Sequence, residues 1–252
     1  MSITLKAVVR YDGTRFAGWQ VQPGQVTVQE DLETALATIA GETIRITGAG
    51  RTDAGVHALG QVFSCGWPDG VAWEGLQRSL SKMLGPEVRI ESVEAVSAAF
   101  NALRSAVAKR YAYVLYDALH PDPFSHRYAW SVPKGVDWAV VQRLSRAVEG
   151  THDFAGFCAS GSSVKTTVRT VHSVRLCEGP LIGPVGAGNY WRLEFHGEGF
   201  LYKMVRNLVG TLIDIARGHT PESRLDELLH APAPYHGFTA PAHGLFLAKV
   251  EY

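Results

Sequence analysis

Apolar side chains in this chain recur at two periods, and the changes between them mark out its elements. Residues 3–11 (ITLKAVVRY) are rich in β-branched residues and read as a strand. Thr27-Val28-Gln29-Glu30 has the form of a capping box, with Thr27 as N-cap and Glu30 reaching back to it. Val28, Leu32, Ala35, Leu36 and Ile39 follow at helical spacing, and Gly41 stops the run. Two short apolar stretches, 43–47 and 60–65, flank the loop GAGRTDAGVHA. A helix over 71–84 and a strand over 87–96 complete the order β-α-β-β-α-β.

The pattern then returns. Residues 107–116 (VAKRYAYVLY) read as a strand, and 137–148 as a helix with Asp137 at its N-cap. Strands are expected over 166–177 and 190–197, with 179–189 as a glycine-rich hairpin loop between them. A helix over 201–217 closes at Gly218, a short helix over 221–230 has Thr220 as cap and Pro221 at its first position, and GLFLAKVEY is a last strand. Two successive units of this kind predict an α+β fold: two ferredoxin-like halves, 1–104 and 105–252, fused into one antiparallel sheet. No Pro-, Gly- or Ser-rich linker separates them.

Composition adds limits. Hydrophobic residues at 46% and charged residues at 19% are ordinary globular values. The start MSITLKAVVRYDG lacks the basic and long apolar regions of a signal peptide, so a soluble, cytoplasmic protein is expected. Three cysteines, Cys65, Cys158 and Cys177, are too widely spaced for a zinc motif or a disulfide framework. Lysine plus arginine and aspartate plus glutamate both number 24, so overall charge advertises no nucleic-acid partner. The charges are unevenly placed, however. Arg104, Lys109 and Arg110 cluster, as do Lys165 with Arg169 and Lys203 with Arg206. Such clusters can give a neutral chain a basic face, and they are the candidate contacts if the partner is an RNA.

The stretch GAGRTDAGVHALGQ (48–61) carries the chemistry. Its glycines and alanines let the backbone approach another molecule closely around a central Arg51-Thr52-Asp53. A dinucleotide fingerprint fails, because its third glycine position is Asp53, and a P-loop lacks its Lys-Ser/Thr. Asp53 and His57 form a lone pair with no further metal ligand indicated. Alone, the loop reads equally as a structural Arg–Asp turn.

It does not stand alone. GAGRTDAGVHA closely resembles the signature of the tRNA pseudouridine synthase A family. YDGTRFAGWQ (11–20), KRYAYVLY (109–116), GTHDFAGF (150–157), FLYKMVRNLVG (200–210) and APAHGLFLAKVEY (240–252) resemble its other blocks in order and spacing. The resemblance covers essentially the whole chain. One departure is that the family's usual arginine falls here at Leu103, with Arg104 one position later on what reads as an extended segment.

That resemblance implies a cofactor-free isomerase with no metal, converting uridine to pseudouridine at positions 38, 39 and 40 of tRNA. Asp53 would be the catalytic residue in a cleft between the halves. The carboxylate could attack the anomeric carbon or C6 of the base, or remove a sugar proton; the residues leave all three open. Arg206 would pair with Asp53 and keep it ionised. Tyr111 would stack on the uracil, Arg51 would help extrude the base, and Leu245 would line the uracil pocket. On the helix around Arg206, Lys203, Arg206, Asn207 and Gly210 are expected on the side away from the apolar face. Tyr113 reads as a core residue. Family members are homodimers that bind tRNA with both subunits. Rival readings are a pseudouridine synthase for other tRNA positions and a non-catalytic RNA-binding module of ferredoxin-like fold.

Overall fold

The computed structural model describes residues 3–118, 120, 122–132, 135–161, 164–182, 189–230 and 235–252. Its packing divides the chain into two compact units, Met1–Val107 with Phe246–Tyr252, and Ala108–Leu245. The class is α+β with mostly antiparallel pairing, as the periodicity implies.

The first unit contains β1 (Ile3–Tyr11), α1 (Val28–Ala40), β2 (Thr47–Gly48), β3 (His57–Trp67), α2 (Leu76–Met83) and β4 (Val88–Val96). Leu5, Ala7 and Val9 alternate inward on β1, which pairs antiparallel with both β3 and β4. Thr27 caps α1 by accepting the Glu30 amide, and Gly41 ends it. The expected strand over 43–47 shrinks to the two residues of β2. The reason is local: Glu33, on α1, accepts the Ile46 N–H at 3.1 Å and an Arg45 N–H at 2.6 Å, which takes the backbone donor a ladder would use. The helix expected from 71 starts at Leu76, because the Trp67 indole takes the Val71 carbonyl and the first helical bond joins Ser79 to Gly75.

The second unit runs β5 (Ala108–Asp117), β6 (Trp130–Val132), α3 (Trp138–Ser145), β7 (Gly150–Asp153), β8 (Val168–Glu178), β9 (Asn189–Gly197), α4 (Met204–Ala216) and α5 (Ser223–His230). Its strands lie in the order β5-β9-β8-β7, with β6 beside β5. Helices α3 and α4 pack on each other, α3 on β8 and α4 on β5. The strands β6 and β7 had no periodic signal. Asp137 caps α3 through two backbone amides, and Gly218 follows α4 with φ 72°. Residues 183–188, most of the expected hairpin loop, lie outside the described residues.

The last strand, β10 (Leu245–Glu251), continues the row of the first unit from Phe246, pairing parallel to β3. Val107 N–H bonds to Glu251 and the Tyr252 hydroxyl to the Ala102 carbonyl, which ties this end down. No described helix is long and apolar enough to cross a membrane.

Candidate functional site

Asp53 lies in the loop between β2 and β3, and the loop is held from two directions. On one side is the backbone of 13–19: Trp19 N–H donates to the Thr52 carbonyl at 3.0 Å and Gly55 N–H to Phe16 at 3.3 Å. Gly18 makes this approach possible. Its φ is +103°, and a Cβ there would sit 2.6 Å from the Thr52 oxygen, so only glycine fits. On the other side are buried side chains. The Tyr11 hydroxyl and Thr52 Oγ1 are 2.8 Å apart, and Gln61 Nε2 donates to the Gly50 carbonyl at 2.8 Å. Val56 N–H closes a turn onto the Asp53 carbonyl at 3.1 Å.

Thr52 is therefore the inward anchor, buried in the first unit, while its neighbours emerge: Arg51 is exposed and Asp53 half-buried. Burial pushes the Tyr11 hydroxyl up to about 12, against the smaller opposing effect of its hydrogen bonds. His57 is not turned toward a ligand. It is 1% exposed, stacked on Phe246 at 4.8 Å, with Nδ1 3.0 Å from the Gly13 N–H and 3.2 Å from an Asp12 oxygen. Among the described residues no group of three His, Cys, Asp or Glu side chains is placed to hold a metal ion.

Tyr111, Arg206 and Leu245 belong to the second unit. Tyr111 and Tyr113 share one face of β5, opposite Phe195 and Leu193 of β9. The Tyr111 ring is 8% exposed and meets Phe200 edge-on at 5.2 Å. Tyr113 is fully buried, and its hydroxyl donates to the Pro241 carbonyl at 2.8 Å. Burial raises its pKa well above the ordinary tyrosine value, with the Arg206 charge acting in the opposite direction. Arg206 is half-buried and exchanges two bonds with Ala240: Nε donates to the Ala240 carbonyl at 2.8 Å and Ala240 N–H to the Arg206 carbonyl at 3.1 Å. Tyr113 and Arg206 thus hang from consecutive carbonyls. Leu245, buried, follows the turn Ala242–Gly244 that leaves this segment.

One expectation about α4 fails. Asn207 and Gly210 are not on an open polar side, because the chain segment 235–240 covers them. Asn207 is fully buried, donating to the Phe157 carbonyl at 2.8 Å and accepting from Thr239 at 2.7 Å. A Cβ on Gly210 would lie 1.8 Å from the Phe238 oxygen. The helix also starts at Met204, not 201, since Lys203 sits in the left-handed region at φ 58° and Ala159 takes the Tyr202 carbonyl.

The basic residues have varied settings. Lys109 is half-buried, and burial first, then the charge of Arg169, lowers its pKa. Arg169 donates to the Thr166 and Val168 carbonyls. Arg110 and Lys165 are exposed, and Lys203 lies 5.1 Å from the Tyr202 ring centre. Arg104 is not on an extended segment. Residues 101–105 form a turn, with Ser105 N–H bonded to the Asn101 carbonyl and the Asn101 side chain accepting the amides of Leu103 and Arg104. Leu103 and Arg104 therefore both face solvent. Sequence reasoning missed the roles of Tyr11 and Phe200, whose partners Thr52 and Tyr111 lie far away in the chain and leave no local spacing to read, and that of Gln61.

Comparison with known proteins bears on both units. The family model described as tRNA pseudouridine synthase matches residues 7–99 and 144–252. A curated protein of Bacillus licheniformis named tRNA pseudouridine synthase A is 39% identical over 98% of both chains. Proteins of the same name from Acetivibrio thermocellus and Streptococcus mutans are 36% and 38% identical, again over nearly their full lengths.

Proposed function

The chain belongs to the tRNA pseudouridine synthase family, a family of isomerases, and from that premise we propose that it converts uridine to pseudouridine at positions 38, 39 and 40 of tRNA, with Asp53 as the catalytic residue. The observation that carries this reading is the locked loop, which buries Thr52 and leaves Asp53 half-buried beside it on a backbone held from both sides. Pre-set geometry of this kind is what a reacting carboxylate needs. The reaction breaks the bond from ribose C1′ to N1, turns the base and joins C1′ to C5. The C5 proton leaves to solvent and N1 regains one, so atoms balance without a co-reactant. The target base leaves its stack first, with Arg51 entering its place and Tyr111 and Leu245 receiving the uracil. Arg206 is the cation we assign to the Asp53 carboxylate.

The charge pattern supports an RNA substrate despite the neutral total. Acidic side chains are engaged elsewhere, as in Arg15–Asp31, Arg45–Glu33, Arg143–Glu222 and Arg192–Glu194. Arg51, Arg104, Lys109, Lys165, Arg169 and Lys203 enter no ion pair among the described residues. In a cytoplasmic homodimer two such sets would combine on one tRNA. The test is pseudouridine mapping of tRNA from a strain lacking this protein, with and without its return. Loss and recovery at 38, 39 and 40 is the expected result; recovery at other positions, or none, would overturn it.

A further inference from the structure

Adjacent to the candidate catalytic carboxylate, a buried chain of polar side chains runs from β1 to β3. Gln61 is fully buried, and its Nε2 lies 2.8 Å from the Gly50 carbonyl and 3.5 Å from the Tyr11 hydroxyl; that hydroxyl meets Thr52 Oγ1 at 2.8 Å. We propose that Tyr11 is a positioning residue for Asp53, its hydroxyl fixing Thr52 and hence the next residue's carboxylate. This rests on the reading of Asp53 as catalytic.

The physical case is one of constraint. A loop of glycines and alanines has few side chains of its own to define its path. Tyr11 supplies what it lacks: a rigid ring, 4% exposed and packed 6.1 Å from Trp19, ending in one hydroxyl. This hydroxyl reaches the loop through the Thr52 side chain. Without it, the buried Thr52 hydroxyl and the Gln61 amide each lose a partner, and a buried polar group left unsatisfied favours rearrangement. Misplacing a reacting group by about 1 Å costs on the order of 10²-fold in rate.

The experiment measures kcat and KM by tritium release from tRNA labelled at uracil C5, with thermal melting of each variant. Tyr11→Phe and Thr52→Val are each expected to lower kcat about tenfold or more, with KM within about twofold. Thr52→Ser, which keeps the hydroxyl, should restore most of the rate. The double variant Tyr11→Phe/Thr52→Val should be no slower than the worse single one, because both remove the same bond. A lowered melting temperature with wild-type kcat, or rate losses that multiply in the double variant, would overturn the proposal. If Tyr11→Phe does not fold, equal kcat in Thr52→Val and Thr52→Ser overturns it. Asp53→Asn is run alongside. Turnover surviving there overturns the reading of Asp53 itself, whereas an inert Asn variant beside a fully active Tyr11→Phe overturns only the role of Tyr11.

Discussion

The loop carrying Asp53 and the helix carrying Arg206 solve one problem in different ways. Each puts a charged side chain next in sequence to a buried polar one: Thr52 before Asp53, and Asn207 after Arg206. In the loop, most of the holding is done by residues 11–19, some thirty to forty residues earlier in the chain, and by Gln61. In the helix, it is done by Phe157 and by 238–240, some thirty to fifty residues away in the chain. In both, the buried neighbour fixes the backbone from which the charged side chain extends. Both depend on long-range contacts; what differs is that the loop's chemistry-bearing residues form one contiguous motif, whereas the groups around Arg206 come from separate segments.

That contrast can be broken at its tightest contacts. Gly210→Ala would force a Cβ to within 1.8 Å of the Phe238 oxygen. We expect a loss of roughly 3 kcal/mol in urea unfolding, the upper range for overpacking, with detachment of the 238–241 segment from α4. Asn207→Leu comes next. It leaves the Phe157 carbonyl and Thr239 hydroxyl without their partner, at about 1–3 kcal/mol. Its signature beyond stability is a weakened Arg206 effect on turnover. A wild-type unfolding midpoint for either variant would show that the helix does not depend on this segment.

A smaller effect sharpens the loop side. The Tyr11 pKa is raised in the folded state, to about 12, above its unfolded value near 10. The folded state then holds a proton that the unfolded state releases. Stability from this group is complete below pH 10 and declines as pH rises through the folded pKa. Tyr113 contributes in the same direction. Denaturant midpoints from pH 8 to 11 should fall in the alkaline range, less steeply in Tyr11→Phe. Identical slopes would place the Tyr11 hydroxyl in water.

The same contrast accounts for what was legible in the sequence. The Asp53 loop is contiguous, so its glycines and its Arg-Thr-Asp centre could be read directly, as could β1, α1 and the β8–β9 pair. The strand over 43–47 could not be corrected in advance, because its loss depends on Glu33 taking the Ile46 amide from another element. Likewise α4 has the spacing of an amphipathic helix, yet Asn207 and Gly210 are buried by a segment that its own periodicity does not encode. The turn at 101–105 was hidden in Asn101, whose side chain accepts two amides that an extended chain would leave elsewhere.

The central claim is that Asp53 performs the chemistry and does not merely hold the loop. Asp53→Asn keeps the shape of the side chain and removes its charge and nucleophilicity. The bonds made by Thr52 and by the loop backbone remain in this variant, so the fold should persist. The measurement is tritium release from tRNA labelled at uracil C5, beside equilibrium binding of the same tRNA. Turnover should vanish while affinity stays equal or rises slightly, since an anion near phosphates only weakens binding. Substantial residual release would show that another group is catalytic, and loss of binding together with activity would make Asp53 a structural part of the turn.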